Sequence, residues 1–323
     1  MQLNVTFQDV LKANRRLKGR VNETPLIHST ILSKEVDSEV WFKMESLQKT
    51  GSFKVRGALN KLDSLTEDQL QKGVITASAG NHAQGLAYAS SLKNASAKIV
   101  VPETTPETKR QGIVRLGAEL IVYGANYDAA EEYALQVAKE TGLVFVNAFE
   151  DDDIIAGQGT SALEAFLEEP DFDAVIVPAG GGGLICGVAL VAKAVNPEIK
   201  VIGVQTHASP PWYYSFKAEK LVQVEYQDSL AEGLHGGITQ GNLDLALKIV
   251  DDFVLVEEES VANAMHWMAK DHHYMTEGSG VVGVAALRDG LLPELKGKKV
   301  LTIITGSNVD FTKLTEVGRT VVV

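Results

Sequence analysis

The sequence predicts an α/β protein whose parallel strands form two lobes of unequal size. Short runs rich in β-branched residues alternate along the chain with segments of helical periodicity. Strands that are separated by helices of roughly 10–15 residues indicate βαβ units and therefore parallel sheets. A compact group of strands lies between Val74 and Asn147, where it could form a smaller lobe inserted in a larger one.

The individual elements follow from this alternation. The predicted strands span residues 40–44, 74–77, 99–101, 120–123, 144–147, 174–177, 201–205, 253–256 and 300–305. The predicted helices span residues 7–17, 53–65, 82–92, 107–116, 128–140, 157–167, 183–194, 260–273 and 281–291. Ligands of such sheets bind beyond the carboxyl ends of the strands. Three loops that follow predicted strands, at residues 78–82, 180–184 and 305–308, are therefore expected to face one cleft.

Length, composition and charge exclude several classes of protein. The chain has 323 residues, of which 45% are hydrophobic, so it can bury a sizeable core in one large domain or two ordinary ones. A net charge of −12 without a basic tract argues against binding to nucleic acid or to an anionic membrane. The single cysteine, Cys186, favours a reducing compartment, and the first twenty residues lack the apolar core of a signal peptide. We therefore expect a cytoplasmic protein.

The uncharged stretch 174–192 is long enough to resemble a membrane span. Pro178 and the glycines at 180–183 divide it into two short apolar segments that flank a loop. This pattern predicts a strand, a turn and a helix.

Lys54 lies at the start of a predicted helix, for which Ser52 is the expected N-cap. The helix dipole disfavours a cation in the first turn, and burial would also lower its pKa. A lysine with a lowered pKa suits Schiff-base formation with a carbonyl cofactor. A surface lysine on an amphipathic helix fits this segment equally well.

The glycines at 180–183 follow a predicted strand and open a predicted helix. Consecutive glycines allow several backbone N–H groups to converge on an anion, so this loop predicts a phosphate site; the alternative is a tight turn made for packing. Gly278, Gly280 and Gly283 match the spacing of the dinucleotide fingerprint. Since a helix and not a strand is predicted before them, we reject that match.

The loop from Ser78 to Gly85 combines small residues, an amide and a helix start, which suits binding of a carboxylate. His82 could act there as a base, although a structural role at the helix start is favoured. In the loop after the last predicted strand, the Thr305 hydroxyl could bond a ring nitrogen, or Ser307 could cap the next helix. The histidines at 266, 272 and 273 lack zinc spacing, so no metal site is predicted.

Taken together, these motifs resemble those of the serine/threonine dehydratases, which are pyridoxal-phosphate (PLP) enzymes. The matching segments, in the family's order, are 24–26, 43–45, 48–58, 78–85, 156–160, 180–184, 231–233, 276–278 and 305–308. They span nearly the whole chain and are most similar to the short catabolic threonine dehydratases. The resemblance implies the tryptophan-synthase-β fold (fold type II), with PLP in the cleft between two parallel-sheet lobes. The implied large domain is 1–68 with 148–323, and the small domain is 69–147.

The resemblance also implies roles for individual residues. Lys54 would be the catalytic residue, which holds PLP as a Schiff base and later moves the α-proton. The residues implied to bind the cofactor are Phe53, Lys54, Asn81 at the 3′-oxygen, Gly180, Gly181, Gly182, Gly183 and Leu184 at the phosphate, Glu277, and Thr305 at the pyridine nitrogen. The residues implied to bind the substrate are Ser78, Ala79, Gly80, Asn81, His82 and Gly233.

Three departures from the family pattern refine these expectations. Ala79 stands where serine racemases carry a serine that serves the opposite face, so we expect little or no racemisation. The segment 205–211 lacks the acidic ligands of cation-dependent relatives, so we expect no magnesium activation. Thr305 and Ser307 replace the usual serine and glycine.

We therefore expect deamination of L-threonine or L-serine, a small-molecule amino-acid substrate, by a homodimer that binds neither nucleic acid nor a membrane. One alternative is a dehydratase for another 3-hydroxy amino acid, such as 3-hydroxyaspartate or an aryl-serine. A serine racemase and a non-catalytic binding protein of the same fold are further alternatives. The aromatic segment 210–214 is expected to pack internally or at a dimer contact, with lining of the pocket as the second interpretation.

Overall fold

The computed structural model describes residues 3–320 of the chain. The helices are α1 (Phe7–Leu17), α2 (Thr30–Val36), α3 (Lys54–Ser64), α4 (Glu67–Lys72), α5 (Asn81–Lys93), α6 (Glu107–Arg115), α7 (Tyr127–Thr141), α8 (Asp152–Glu168), α9 (Gly183–Val195), α10 (Pro211–Ala218), α11 (Gln240–Ile249), α12 (Glu258–Asp271), α13 (Gly278–Arg288) and α14 (Phe311–Thr320). The strands are β1 (Leu26–His28), β2 (Glu39–Lys43), β3 (Val74–Ala77), β4 (Ala97–Val101), β5 (Glu119–Val122), β6 (Val144–Phe145), β7 (Ala174–Pro178), β8 (Lys200–Thr206), β9 (Asp252–Val256) and β10 (Lys299–Ile303).

Two separate sheets confirm the predicted α/β fold with two lobes. The larger sheet has the strand order β1-β2-β10-β7-β8-β9 and is parallel except for the β1–β2 pair. The smaller sheet has the order β5-β4-β3-β6 and is parallel throughout. Because β10 pairs with both β2 and β7, the large lobe is assembled from chain segments on either side of the small one. Domain boundaries at residues 68/69 and 147/148 stay a prediction, and residues 1, 2 and 321–323 lie outside the described part.

Every predicted strand has a counterpart, whereas several short elements were missed. The missed elements are β1, α2, α4, α10, α11 and α14. Most of them are a few turns long or shorter, so they offer few repeats of a hydrophobic pattern, and α10 also begins at one of two adjacent prolines. The segment 174–192 forms β7, a loop and α9, as predicted. Among residues 3–320, no helix combines the length and apolar character that a membrane span requires.

Two predicted helix starts were wrong for identifiable reasons. Ser52 does not cap α3, because the N-cap position belongs to Phe53 and the Ser52 hydroxyl has no hydrogen-bond partner within residues 3–320. Ser52 instead forms an isolated antiparallel bridge with Gly306. Helix α8 begins at Asp152, earlier than predicted, because the Asp151 carboxylate accepts hydrogen bonds from the Asp153 and Ile154 N–H groups.

The helix that carries Lys54 is fixed by close approaches at glycines. A Cβ atom on Gly157 of α8 would lie 2.6 Å from the Gly57 Cα atom of α3. A Cβ atom on Gly85 of α5 would lie 3.1 Å from the Lys54 carbonyl carbon. Helix α3 is therefore held closely by a helix of each lobe, at separations that suit glycine.

A buried ion network anchors the same helix. The Arg56 guanidinium on α3 lies 2.7 Å from the Glu45 carboxylate and 2.6 Å from that of Glu164 on α8. Lys43 at the end of β2 lies 2.7 Å from the other oxygen of Glu164. Two cations therefore meet two carboxylates, which allows Arg56, Lys43 and Glu45 to be buried and Glu164 to be mostly buried.

Candidate active site

The three predicted loops converge on the cleft between the lobes. The loops follow the carboxyl ends of β3, β7 and β10 and are at residues 78–80, 179–182 and 304–310. Asn81, at the start of α5 in the small lobe, donates hydrogen bonds of 2.8 and 3.1 Å to the Glu277 carboxylate, just before α13 of the large lobe. These contacts place both lobes around one site.

The Lys54 amine lies in this cleft and not on the outer surface. Its Nζ atom donates a 3.0 Å hydrogen bond to the Ala148 carbonyl and lies 5.4 Å from the centre of the Phe53 ring. Burial lowers the pKa of Lys54 to about 8, against the opposing effect of the Glu277 charge. The neutral amine, which is the nucleophile in Schiff-base formation, is therefore more accessible near neutral pH than in an ordinary lysine.

The glycines at 180–183 form a turn that ends in the N-terminus of α9. Gly182 adopts φ +105°, and a Cβ atom on Gly181 would lie 2.3 Å from the Phe149 ring. Within residues 3–320, the Gly181 and Gly182 N–H groups donate no backbone hydrogen bond, and the first turn of any helix leaves its N–H groups unpaired. The loop can therefore present several N–H groups to an anion, with Leu184 in the first turn of the helix.

The aromatic segment 210–214 supports this loop from behind. Trp212 is fully buried, stacks on Phe253 at 5.1 Å and donates its indole N–H to the Gly180 carbonyl. Asn242 donates a 2.7 Å hydrogen bond to the Gly181 carbonyl. Internal packing, the favoured interpretation of this segment, thus holds for Trp212, whereas Tyr214 is about half exposed.

The remaining predicted substrate residues line the small-lobe loop and the facing turn. Ser78 accepts a hydrogen bond from the Gly80 N–H group, and the space beyond the Gly80 Cα atom is open. Ala79 lies between them. Gly233 donates to Ser279, and its Cβ position lies 3.7 Å from Glu277.

His82 is buried, and its Nε2 atom lies 3.2 Å from the Val146 carbonyl. Since a carbonyl only accepts, Nε2 carries the proton. Burial and the Lys54 charge lower the pKa of His82 to about 3, despite this hydrogen bond. The ring is therefore neutral at physiological pH. The structural role of His82 and its assignment to the substrate site both stay predictions.

The loop after β10 contacts the turn before Lys54. Thr305 is buried, and its carbonyl accepts from the Phe53 N–H group at 3.2 Å. Ser307 does not cap a helix, because α14 begins only at Phe311; its hydroxyl donates to the Ser46 carbonyl at 2.9 Å.

The glycines of the rejected dinucleotide motif serve packing. A Cβ atom on Gly278 would lie 2.3 Å from the Leu230 carbonyl oxygen, and one on Gly280 would lie 2.9 Å from that of Gly306. A Cβ atom on Gly283 would lie 2.3 Å from the Thr302 hydroxyl. The motif forms the first turns of α13, and the element before it is the helix α12 and not a strand.

The donor set fits PLP. An amine of lowered pKa matches an aldehyde, the N–H groups of the glycine loop match a phosphate, and Phe53 offers an apolar surface to a ring. Glu277 and Asn81 add polar groups beside them; burial raises the pKa of Glu277 to about 7, although the hydrogen bond from Asn81 opposes this. In the described part of the chain, no group of three or more His, Cys, Asp or Glu side chains could hold a metal ion. The expected independence from magnesium stays a prediction.

A buried lysine between two parallel α/β lobes, together with a glycine loop at a helix N-terminus, is typical of the class of fold type II PLP enzymes. The chain belongs to the family described as pyridoxal-phosphate dependent enzyme, which it matches over residues 17–306. It is therefore a PLP-dependent enzyme, and the family predicted from the sequence motifs is confirmed.

Individual relatives agree with this assignment. The chain is 44% identical to the L-threonine ammonia-lyase of Thermotoga maritima, over 95% of this chain and 76% of the relative. It is 36% identical to the catabolic L-threonine dehydratase TdcB of Escherichia coli, over 98% of this chain and 96% of the relative. Among solved structures, serine racemase from maize superposes with a TM-score of 0.92 at 32% identity, over 97% and 96% of the two chains.

Several residues of the site were missed in the sequence. Ala148, Asn242 and Phe149 act through the backbone or from behind the glycine loop, so their residue types carry no recognisable pattern. Asn308 lay within a predicted motif, yet only its contacts, described below, suggest a role.

Proposed function

We propose that the chain is a lyase that deaminates L-threonine, and L-serine as a second substrate, to 2-oxobutanoate or pyruvate and ammonia. The observation that carries the proposal is the buried Lys54 amine at the Ala148 carbonyl, next to Phe149, whose ring packs against Gly181 of the glycine loop. The names of the Thermotoga maritima and Escherichia coli relatives support the same reaction.

The side chains on the two sides of the cleft have separate tasks in this proposal. Bound PLP would supply an electron sink for the negative charge that develops at the substrate α-carbon. The Lys54 Nζ atom would take the α-proton, because its lowered pKa allows it to be neutral near pH 8. Ser78 and the N–H groups at the start of α5 would bind the substrate carboxylate, and the loop 180–184 would bind the phosphate.

The remaining assignments of the cofactor site are also proposals. Phe53 would cover one face of the ring, and Thr305 would offer its hydroxyl to the ring nitrogen. Asn81 and Glu277 would lie near the ring oxygen. Gly233 would border the substrate, near Glu277.

A panel of amino acids tests the reaction and its substrate. Release of 2-oxo acid is measured with L-threonine, L-serine, threo-3-hydroxyaspartate and phenylserine for the wild type, Lys54→Ala and the control Lys72→Ala, which changes an exposed lysine of α4. We expect release from threonine that is lost only in Lys54→Ala. No release from any substrate by the PLP-loaded wild type would contradict the proposal, and a preference for another substrate would select an alternative dehydratase.

Racemisation is the second candidate, because serine racemase from maize shares this fold at 32% identity. Ala79 argues against it, since a methyl group at this position offers no proton to the second face. The assay is the formation of D-serine from L-serine beside that of pyruvate. D-serine formed as fast as pyruvate would contradict the dehydratase proposal.

We also propose that the enzyme is a cytoplasmic homodimer. Its single cysteine, buried Cys186, cannot form an intramolecular disulfide, which suits a reducing compartment. Light scattering coupled to size-exclusion chromatography measures the oligomer, and a monomeric mass at micromolar concentration would contradict the dimer.

A further inference from the structure

Asn308 joins the two sides of the candidate active site through one amide group. Its Nδ2 atom donates a 2.7 Å hydrogen bond to the Thr50 carbonyl, in the turn that precedes Lys54. The same nitrogen donates a 2.7 Å hydrogen bond to the Asn81 Oδ1 atom, at the start of the small-lobe helix α5. Both N–H bonds of this amide are therefore used, one for each lobe.

These contacts determine the orientation of two side-chain amides, first that of Asn308 and then that of Asn81. The Thr50 carbonyl can only accept, so the atom of Asn308 that faces it must be the nitrogen. That nitrogen requires an acceptor at Asn81, which must therefore be Oδ1. The Nδ2 atom of Asn81 is consequently turned toward the Glu277 carboxylate, at 2.8 and 3.1 Å.

The turn at the other end of this chain of hydrogen bonds is strained. Thr50 has φ +64° and ψ +11°, a left-handed conformation that β-branched residues rarely adopt. Such a conformation persists only when neighbouring groups hold it. Asn308 holds the Thr50 carbonyl, and the Ser307 N–H group holds that of Gly51 at 2.9 Å.

We propose that Asn308 is a positioning residue that turns the Asn81 amide nitrogen toward the cofactor and ties it to the turn before Lys54. The inference rests on the proposed function, because it assigns Asn81 to the ring oxygen of PLP. The two contacts of the Asn81 nitrogen with the Glu277 oxygens can share one N–H, which leaves its second N–H for a ring oxygen. Without the Asn308 donor, only the Glu277 carboxylate among these contacts would still hold the Asn81 nitrogen in this orientation.

Asn308→Asp is the most discriminating variant, because it keeps the shape of the side chain and replaces the amide nitrogen by an oxygen. That oxygen would face two acceptors, the Thr50 carbonyl and the Asn81 Oδ1 atom. Asn308→Ala removes the group without adding repulsion. Asn126→Asp is the matched control, since Asn126 caps α7 through its oxygen and aspartate can do the same. The dissociation constant of PLP is measured by the change in tryptophan fluorescence of the cofactor-free protein, and the visible band of bound PLP is titrated with pH.

We expect Asn308→Asp to raise the PLP dissociation constant by at least about tenfold and Asn308→Ala by less, with no change in Asn126→Asp. The midpoint of the pH titration should shift in both Asn308 variants. Wild-type affinity and an unchanged midpoint in Asn308→Asp would overturn the proposal.

A double-mutant cycle with Asn81→Ala separates positioning from general structural support. If Asn308 acts through Asn81, then Asn308→Ala should change PLP affinity by less than about twofold when Asn81 is already alanine. If Asn308→Ala changed PLP affinity equally in the wild type and in Asn81→Ala, the proposal would be overturned. This cycle tests the proposal even if Asn308→Asp fails to fold. These measurements require only PLP binding, so a wild type that binds PLP without deaminating any substrate would refute the proposed function and not this inference.

Discussion

Replacing Arg56 with methionine tests how the helix that carries Lys54 is held in place. Arg56 lies two residues after Lys54 and is fully buried, with bonds of 2.7 and 2.8 Å to the Glu45 carboxylate. Methionine retains much of the apolar stem and removes the charge. Glu45, itself 0% exposed, then keeps no ion pair, because Lys43 is engaged with Glu164.

The expected loss in the free energy of unfolding follows from leaving the Glu45 carboxylate buried without its partner Arg56. Removing one member of a buried ion pair typically costs about 3–5 kcal/mol, and the complete burial of Glu45 places this case within that range. The double variant Arg56→Met/Glu45→Gln removes both charges and leaves the Lys43–Glu164 pair balanced. It should recover at least about 2 kcal/mol of the loss.

The pH dependence supplies a signature that poor packing would not produce. Burial opposes ionisation of Glu45, but the Arg56 charge and hydrogen bonds outweigh it, so the pKa of Glu45 is below its ordinary value. The pair's contribution is thus present above the unfolded pKa of glutamate and lost as pH falls through the folded pKa. In Arg56→Met only the Lys43 charge and the Thr24 hydrogen bond still oppose burial, so we expect the pKa of Glu45 to rise and the variant to lose less free energy of unfolding than the wild type as the pH falls. The difference in free energy of unfolding between the wild type and Arg56→Met should therefore become smaller as the pH falls from about 7 to about 5.

The assay is urea unfolding at saturating PLP, followed by tryptophan fluorescence and far-ultraviolet circular dichroism. Coincident transitions by both probes are required before free energies are compared. A difference in free energy of unfolding below about 1 kcal/mol between the wild type and Arg56→Met at pH 7 would refute the reasoning. A difference that is constant with pH, or a double variant no more stable than Arg56→Met, would refute it as well.

Three further predictions concern the cofactor site. The rate at which the cofactor-free protein recombines with PLP should rise with pH, with a midpoint near the Lys54 pKa of about 8, because the neutral amine reacts. Stopped-flow absorbance measures this rate, and a midpoint near the ordinary lysine pKa of about 10.4 would contradict the prediction. Gly181→Ala should weaken PLP binding by at least about tenfold in equilibrium dialysis, because its methyl group would lie 2.3 Å from the Phe149 ring. Gly112→Ala, at a position with open space around it, is the control. Equal PLP affinities of the two variants would refute the argument. Treatment with EDTA should leave the deamination rate unchanged, since the segment 205–211 lacks acidic ligands for magnesium. A loss of activity that added magnesium restores would show the expected independence from magnesium to be wrong.

Local patterns predicted α3, α5 and α9, which bear the lysine and two of the loops, but missed α10 and α11, which support the glycine loop. The alternation of β-branched runs and helical segments predicted counterparts for every strand except β1, which is three residues long. The Gly-rich loop and the lysine motif were recognisable because each combines several unusual residues at fixed spacing. The assigned roles of the site residues stay predictions, to be tested by the experiments above.

The predicted cap at Ser52 shows where local rules stop. A serine before a helix ordinarily caps it, yet Ser52 pairs with Gly306, some 250 residues away in sequence, and the chain enters the helix at Phe53. Long-range pairing overrode a local preference, and no pattern in the neighbourhood of Ser52 indicates it.

The sequence by itself determined the fold class, the family and the residue types available for chemistry, because periodicity and motif spacing are local properties of the chain. The tertiary structure alone decided which groups meet. The Ala148 carbonyl at the Lys54 amine, the buried Glu45–Arg56–Glu164 network and the amide chain through Asn308 all join residues distant in sequence. Their energies depend on burial and on distances of a few ångströms, and these exist only once both lobes have folded around the cleft.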